Sequence, residues 1–445
     1  MQFAGIDVRE IERIVTDVLV VGGGAARVAA AVTAARQGMR VVLVERYGFM
    51  GGGAVAGLSG TICGLYLASD SGRAPEQVVF GFADEFLRAL EARGGLAAPA
   101  KYGKTFTRVH DPLMWRETAD DLLREAGVRI IFHAVATSVN LDGDRVLGAN
   151  LYTKQGPVRV DASVTIDASG DADLAAMAGL PSVIGDNGRV QNPTMIFRLS
   201  DVDTARFKAA YGSDTIMPPS VSELIAQANA SGRYRLPRTK IWMFETPRPG
   251  ELLCNCTRIT GADGRELNTL YMDDFTEAEL EGRQQVREYA RFFRDHLEGC
   301  ADAFVNDTGV QVGVRQTRQV VGVERLANAH VVAGTKFGAG IARSPWPIEL
   351  HSGERPRVEW LLDDYYEVPF GCFVPQRGEG LLFAGRCLSA EHEAVASARV
   401  TAQCFSYGHA IGHAAALVIK HGVAPRQIDG QSLRSVLNQD NGRLD

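Results

Sequence analysis

The chain has no apolar run approaching 18 residues, so it offers no membrane span. It has no basic block: 47 lysines and arginines stand against 53 acidic residues, a net charge of −6 at pH 7. That balance speaks against nucleic acid or an anionic membrane as the main partner. Cysteine is sparse, with seven scattered residues and no C-x-x-C pair. A disulfide framework and a redox dithiol are both disfavoured. Cys254 and Cys256, two apart in LLCNCTRI, have no further ligand cluster beside them and read as core or near-core thiols. There is no internal repeat, no low-complexity tract and no signal-peptide pattern, so the expectation is a soluble, cytoplasmic protein. The stretch Val8 to Val15 reads as a charged helical segment ahead of a first strand near Val18.

Glycine is abundant, 48 in 445 residues, which suits many tight turns and close approaches of backbone to ligand. A chain of this length is expected to form two domains, one of them discontinuous. The most informative segment is DVLVVGGGAARVAAAVTAARQGMRVVLVERYGFMGGG, residues 17–53. An apolar strand enters Gly22, Gly23 and Gly24; an alanine-rich helix follows; a second apolar strand ends at Glu45, 21 residues beyond Gly24. This is a strand–turn–helix–strand unit for a dinucleotide. Gly22 permits the tight turn, and Gly24 lets the backbone approach the pyrophosphate at the helix N-terminus. The Glu45 carboxylate can accept hydrogen bonds from a ribose diol and repels a 2′-phosphate, which disfavours NADP. The third glycine of G-x-G-x-x-G is replaced by Arg27. Its side chain must either snorkel outward or reach back toward the phosphates.

Further along, Asp111 and Pro112 open a helix whose buried face is Trp115, Ala119, Leu122 and Leu123, and Gly127 closes it. Residues 128–139 read as one strand, and 146–153 and 158–170 complete an antiparallel meander that returns to the main sheet. A helix is expected to begin at Asp171 to Asp173, and a long one over 276–299 with a Thr276/Glu279 capping box. Residues 380–386 form a buried strand. Residues 389–422 begin as a loop and become a helix near Val400 or Thr401, where Gly408, Gly412 and Ala416 permit close helix–sheet contact.

Together the GGG unit with Glu45, RYGFMGG, DASGDAD, NPTMIFRL (192–199), GVRQTRQVVG (313–322), VPFGCFVPQ (368–376) and LLFAGRCLSAEHEA resemble the FAD-dependent oxidoreductases of the glutathione-reductase fold, near the fumarate reductase and succinate dehydrogenase flavoproteins. The resemblance implies an α/β fold. It would comprise a Rossmann-like FAD-binding domain over 1–184 and 366–445, with a parallel sheet and an antiparallel meander, and a mixed α+β substrate or cap domain over 185–365. It implies that Gly22, Gly24, Ala26, Arg27, Glu45 and Arg46 hold the ADP half, with the backbone of Val135 at the adenine. Gly51 and Gly52 would lie beside the isoalloxazine. Gly170, Gly385 and Arg386 would hold the pyrophosphate–ribityl region, and the helix start at Val400 and Thr401 would face the flavin O2/N1.

Flavin carries the hydride chemistry, so the protein must supply a substrate anchor and a proton carrier. His392 is the acid/base candidate; the plainer reading is a loop histidine capping a turn. Arg315, Arg318 and Arg399 could clamp a carboxylate or polarise a carbonyl, or could form interdomain ion pairs. His409 and His413 have the i, i+4 spacing of zinc ligands but no obvious third ligand, so no metal is expected and both are read as packing on the sheet. Tyr365 and Tyr366 could stack on substrate or form a surface turn. The leading expectation is hydride exchange with a small organic molecule at a C–C bond next to a carbonyl, with C–N or C–O oxidation as alternatives. No second G-x-G-x-x-G unit is present for NAD(P)H, so the electron donor or acceptor is open, and so is the oligomeric state, a homo-oligomer included. A flavin-degenerate binding or scaffold protein is the reading of another class, motivated by Arg27. An RNA-modifying flavoprotein is disfavoured by the acidic balance.

Overall fold

The structure is a computed structural model that describes residues 12–351 and 357–445. Strand β1 (Glu12–Val21) leads through the glycine turn into α1 (Ala25–Arg36) and then β2 (Val41–Glu45). Helix α2 (Pro112–Glu125) follows after a small three-stranded sheet. Its N-cap is Asp111, whose carboxylate accepts hydrogen bonds from the N–H groups of Leu113 and Met114, and its expected buried face is buried. Then come β3 (Arg129–Phe132) and the meander β4 (Val135–Asp142), β5 (Arg145–Thr153) and β6 (Gly156–Asp167).

The middle of the chain builds an antiparallel sheet from β7 (Phe197–Ser200), β8 (Trp242–Glu245), β9 (Leu252–Asn255) and, after the long helix α3 (Met272–His296), β10 (Phe304–Thr308). Its strand order is β8-β9-β7-β10. The chain then returns through β11 (Leu381–Phe383), α4 (His392–Ala398), α5 (Thr401–His421) and α6 (Gly430–Gln439).

The main sheet runs β3-β2-β1-β6-β5-β4, and β11 lies parallel to the end of β6. β1 is parallel to both β2 and β6, while the meander is antiparallel. This is the Rossmann-like α/β arrangement with a second, antiparallel part. Side chains alternate across the sheet. Val18, Val20 and Leu43 join the core with α1 and α5, and Leu19, Val21 and Val42 face Leu174 and Phe383 on the other side. A separate core gathers Phe197, Leu199, Met243, Tyr289 and Phe293 between the antiparallel sheet and α3. Leu326, Val331, Ile341 and Ile348 pack in the first core although they precede residue 366.

Several expectations are corrected. Residues 12–15 are strand, not helix: Ile14 and Thr16 turn inward with period 2 as β1 pairs with β6. The rest of that expected helix, Val8 to Ile11, lies outside the described residues. The 128–139 strand is broken at His133, whose φ of +54° turns the chain between β3 and β4. Thr276 does not cap α3; its hydroxyl donates to the carbonyl of Met272 one turn back inside the helix. Gly408 and Gly412 meet α1 rather than the sheet: a Cβ on Gly408 would lie 1.9 Å from the Ala26 carbonyl oxygen. Tyr366 is buried in a strand, its hydroxyl against Ser397. No helix among the described residues is long and apolar enough to cross a membrane.

Candidate functional site

An open cleft of about 1270 Å³ begins at the glycine turn. It passes Gly51–Ala54, Ala384–Arg386 and Val400, Thr401 and Cys404, and reaches Arg315, Glu349 and His351.

The first end is built from glycine and helix termini. β1 runs into Gly22, and Gly24 is the N-cap of α1, with no side-chain cap and no acid in the first turn. The helix therefore presents N–H groups and the positive end of its dipole to the cleft. Gly52 packs directly on Gly24: a Cβ there would lie 2.9 Å from the Gly24 Cα, at a φ of +45°. At the end of β2, Glu45 is buried and its Oε1 accepts a hydrogen bond from the Tyr47 N–H at 2.9 Å.

Arg27 reaches back rather than outward. Its guanidinium lies over Gly22, its side chain is 11% exposed, and Nη1 stands 3.5 Å from Glu45 Oε2. Burial pushes its pKa down. Glu45 opposes that shift, and Arg386 and Arg46 add to it. An anion between these cations would relieve the repulsion.

Asp167 and Asp171 shape the next wall. The buried Asp167 carboxylate accepts from the N–H groups of Ser169, Leu174 and Ala175, which closes the DASGDAD turn. Burial pushes its pKa up. Arg386 extends over Gly170, bonds Asp171 and donates to the Val314 carbonyl at 3.1 Å, while its Nε has no partner. At the far side α5 begins at Val400, again without a side-chain cap or an acid in its first turn. Thr401 donates its hydroxyl to the Thr61 carbonyl, and the Ala402 N–H is taken by Cys63.

These residues fit a bound dinucleotide. A cradle that any Cβ on Gly52 would fill and two helix N-termini without side-chain caps lie along one cleft, with a buried acid at the end of β2 behind Arg27. Arg27 is the one group already inside the cradle.

The other end is cationic. Arg315 is 7% exposed and donates to the Asn192 carbonyl at 2.9 Å. Arg399, at the end of α4, donates to Gln191 Oε1 at 3.1 Å and leaves its Nε without a partner. Arg238 lines a small annex that shares Arg315 and His351 with the cleft. It donates to Asn255 Oδ1 at 3.1 Å, lies 4.3 Å over the Trp242 ring, and leaves Nη2 unpartnered. Among the described lining residues of cleft and annex, Glu349 is the one carboxylate. It accepts from the Tyr102 hydroxyl at 2.9 Å and lies 3.9 Å from His351 Nε2.

Burial dominates the electrostatics there, and repulsion among the arginines adds to it at Arg315 and His351. Burial and then the neighbouring Arg399 and Arg238 push the Arg315 pKa well below the usual arginine range. Burial lowers Arg399 to about 10. His351 is held well below the ordinary histidine range by burial and the three arginines, so its ring is neutral. Burial and Glu349 hold the Tyr102 phenol protonated.

Of the sequence candidates, Gly24, Ala26, Arg27, Gly51, Gly52, Gly170, Gly385, Arg386, Val400, Thr401, Arg315 and Arg399 line this cleft. Gly22 and Glu45 support it from behind Arg27. Four candidates lie elsewhere. His392 is the first residue of α4, not a loop residue, and it does not line the cleft; its Nδ1 is buried without a partner. Arg318 bonds the Asp171 carbonyl and the Asp173 carboxylate, an ion pair rather than a free clamp. Arg46 lies on the surface against Tyr47 and Gln311. Val135 opens β4 and is 50% exposed. Arg238, Glu349, His351 and Tyr102 escaped the sequence reading, since they come from separate segments with no shared spacing.

The sequence profile of a family described as FAD dependent oxidoreductase matches residues 17–437. No curated protein sequence matches the chain. Among solved structures, a geranylgeranyl bacteriochlorophyll reductase-like protein from Thermoplasma acidophilum aligns over 97% of this chain and 85% of its own, at 15% identity and a TM-score of 0.50. A p-nitrophenol 4-monooxygenase from Pseudomonas putida aligns over 98% and 88%, at 12% identity and a TM-score of 0.49. At these identities the likeness concerns the fold alone.

Proposed function

The chain belongs to the FAD dependent oxidoreductase family, and from that premise we propose that it exchanges a hydride with a small organic anion at a carbon–carbon bond next to a carbonyl or carboxyl group. FAD is its cofactor, and when bound it supplies the hydride acceptor or donor. The observation that carries the substrate reading is the cluster of buried Arg238 and Arg315 with half-buried Arg399, in the cleft that also holds the cofactor cradle and in its annex; Arg238 and Arg399 each keep an unpartnered nitrogen, and Glu349 is the one carboxylate among the described lining residues.

In this reading residues 1–184 and 366–445 hold the cofactor and 185–365 furnish most of the substrate wall. The α1 N-terminus, Gly24, Gly52, Arg27 and Arg386 would take the pyrophosphate, and Glu45 the ribose. Arg315 and Arg399 orient the substrate carboxylate by charge-assisted hydrogen bonds, which recognise its planar geometry. Arg238 adds charge from behind. A buried, uncompensated guanidinium is costly, so binding an anion recovers energy that a neutral ligand cannot. The same charge works against a cationic amine as substrate. Tyr102 and Glu349, hydrogen-bonded to each other beside this wall, form the proton path, and neutral His351 orients it.

Anaerobic turnover tests the reading. Short α,β-unsaturated carboxylates are expected to reoxidise the reduced, FAD-loaded protein faster than the matching neutral enones. Equal or faster reaction with the neutral enones, or reaction with amines alone, contradicts it.

A further inference from the structure

We propose that His409, His413 and Asp440 form a binding site for a divalent transition-metal ion of the zinc class, about two to three turns along α5 from its start at the candidate active site. His409 and His413 stand one turn apart on α5, their ring centroids 5.1 Å from each other. The sequence shows this pair but no third ligand. The fold supplies it from the residue that follows α6: both Nε2 atoms lie 2.8 Å from the same Asp440 oxygen, Oδ2. All three donor atoms fall within 4.8 Å of one another.

The geometry is close to what an ion needs. Bonds of about 2.0–2.1 Å in a tetrahedral site place neighbouring donor atoms about 3.3 Å apart. The two Nε2–Oδ2 separations must open by roughly half an ångström, a movement within side-chain freedom. Asp440 is on the half-exposed side, so it can yield; its position is set by buried Leu433 and Leu437 and by the Gly442 N–H on the Leu437 carbonyl. Two imidazoles and one carboxylate suit zinc or a neighbouring metal, whereas calcium and magnesium call for shells of oxygen. The fourth position opens to a cavity lined by Thr33, Arg36, Gly81, Glu85 and Arg88 as well as His409 and Asp440. There a water, or the Glu85 carboxylate now paired with Arg36, completes the shell.

Binding is proton-neutral for each ring when the hydrogen on Nε2 moves to Nδ1 and the ring stays uncharged. His409 Nδ1 faces Gly81, where a Cβ would stand 2.7 Å from it. The ion ties the C-terminal helix α6 to α5. Since α5 packs along α1 and starts at the cleft, the site is a structural clamp behind the cofactor cradle rather than a second catalytic centre.

The test uses the full-length, FAD-loaded protein, stripped with a chelator and titrated with zinc ion. Calorimetry and elemental analysis are expected to give one zinc per chain. Asp440→Ala and His413→Gln each are expected to weaken binding at least 100-fold, with an unchanged flavin spectrum. Zinc is also expected to raise the thermal midpoint of the parent and not of Asp440→Ala. Absence of stoichiometric zinc in the parent, or equal binding in Asp440→Ala, overturns the proposal. Asp440 is half-exposed, so that variant stays folded and keeps the test decisive if His413→Gln does not.

Discussion

The two ends of the cleft meet the same demand, an anion, with opposite materials. The end at α1, in the proposed reading, would accept an anion with backbone: glycines without Cβ atoms and helix N-termini without side-chain caps. The end at Arg315, in the proposed reading, would accept an anion with side chains: the guanidiniums of buried Arg238 and Arg315 and of half-buried Arg399. Backbone recognition costs little when the ligand is away, because dipoles are not ions. Side-chain recognition stores desolvation and, at Arg315, repulsion: burial is the first cause of the lowered pKa of all three arginines, and Arg399 and Arg238 push Arg315 down further. A cofactor that stays suits the first design. A substrate that must arrive, react and leave suits the second, since relief of that repulsion drives binding.

The sharpest break of the comparison is at Gly52. Gly52→Val puts a branched side chain 2.9 Å from the Gly24 Cα at positive φ, and FAD binding is expected to fall at least 100-fold in an absorbance titration, with the far-ultraviolet spectrum retained. Substrate-wall variants are expected to do the reverse. Arg315→Met should weaken binding of a short carboxylate by roughly 100-fold, in line with about 2–5 kcal/mol for loss of one buried charge partner, and leave FAD affinity unchanged. If both affinities fall together, the two ends are not separate devices.

Arg27 is where the designs mix, a side-chain cation in the backbone cradle. Arg27→Ala is expected to weaken FAD binding by about 10-fold, the order of one charge-assisted hydrogen bond. Tighter binding in that variant would mean that the guanidinium obstructs the cradle. The smallest effect concerns pH. Arg399 is protonated below about 10 and loses its charge as pH rises through that value. Carboxylate affinity is therefore expected to be level from pH 7 to 9 and to fall above that, and a bound anion moves the fall upward. Arg399→Lys should shift the midpoint; an unshifted profile removes Arg399 from the anion site.

The backbone end was legible in the sequence and the side-chain end was not, for a physical reason. Gly22, Gly24 and Glu45 act at fixed spacings along one strand–helix–strand unit, and the capped helix α2 and the meander are equally local. Arg315 and Arg399 could be singled out as cations in motif segments, but their neighbours Arg238, Glu349 and Tyr102 are brought together by folding alone. His392 and Arg318 look the same as these in sequence; the turn of α4 and the carboxylate of Asp173 take them out of the cleft. The start of β1 was hidden because its polar residues mask a period-2 pattern that only pairing with β6 reveals. Asp440 was hidden by the 26 residues between it and His413.

The central claim is that an anion-binding wall shares one cleft with the FAD cradle. The most direct measurement is the difference absorption spectrum of the FAD-loaded protein on titration with a short carboxylate. A saturable perturbation of the flavin bands that disappears in Arg315→Met is the predicted result. No perturbation, or one that Arg315→Met leaves untouched, contradicts the account.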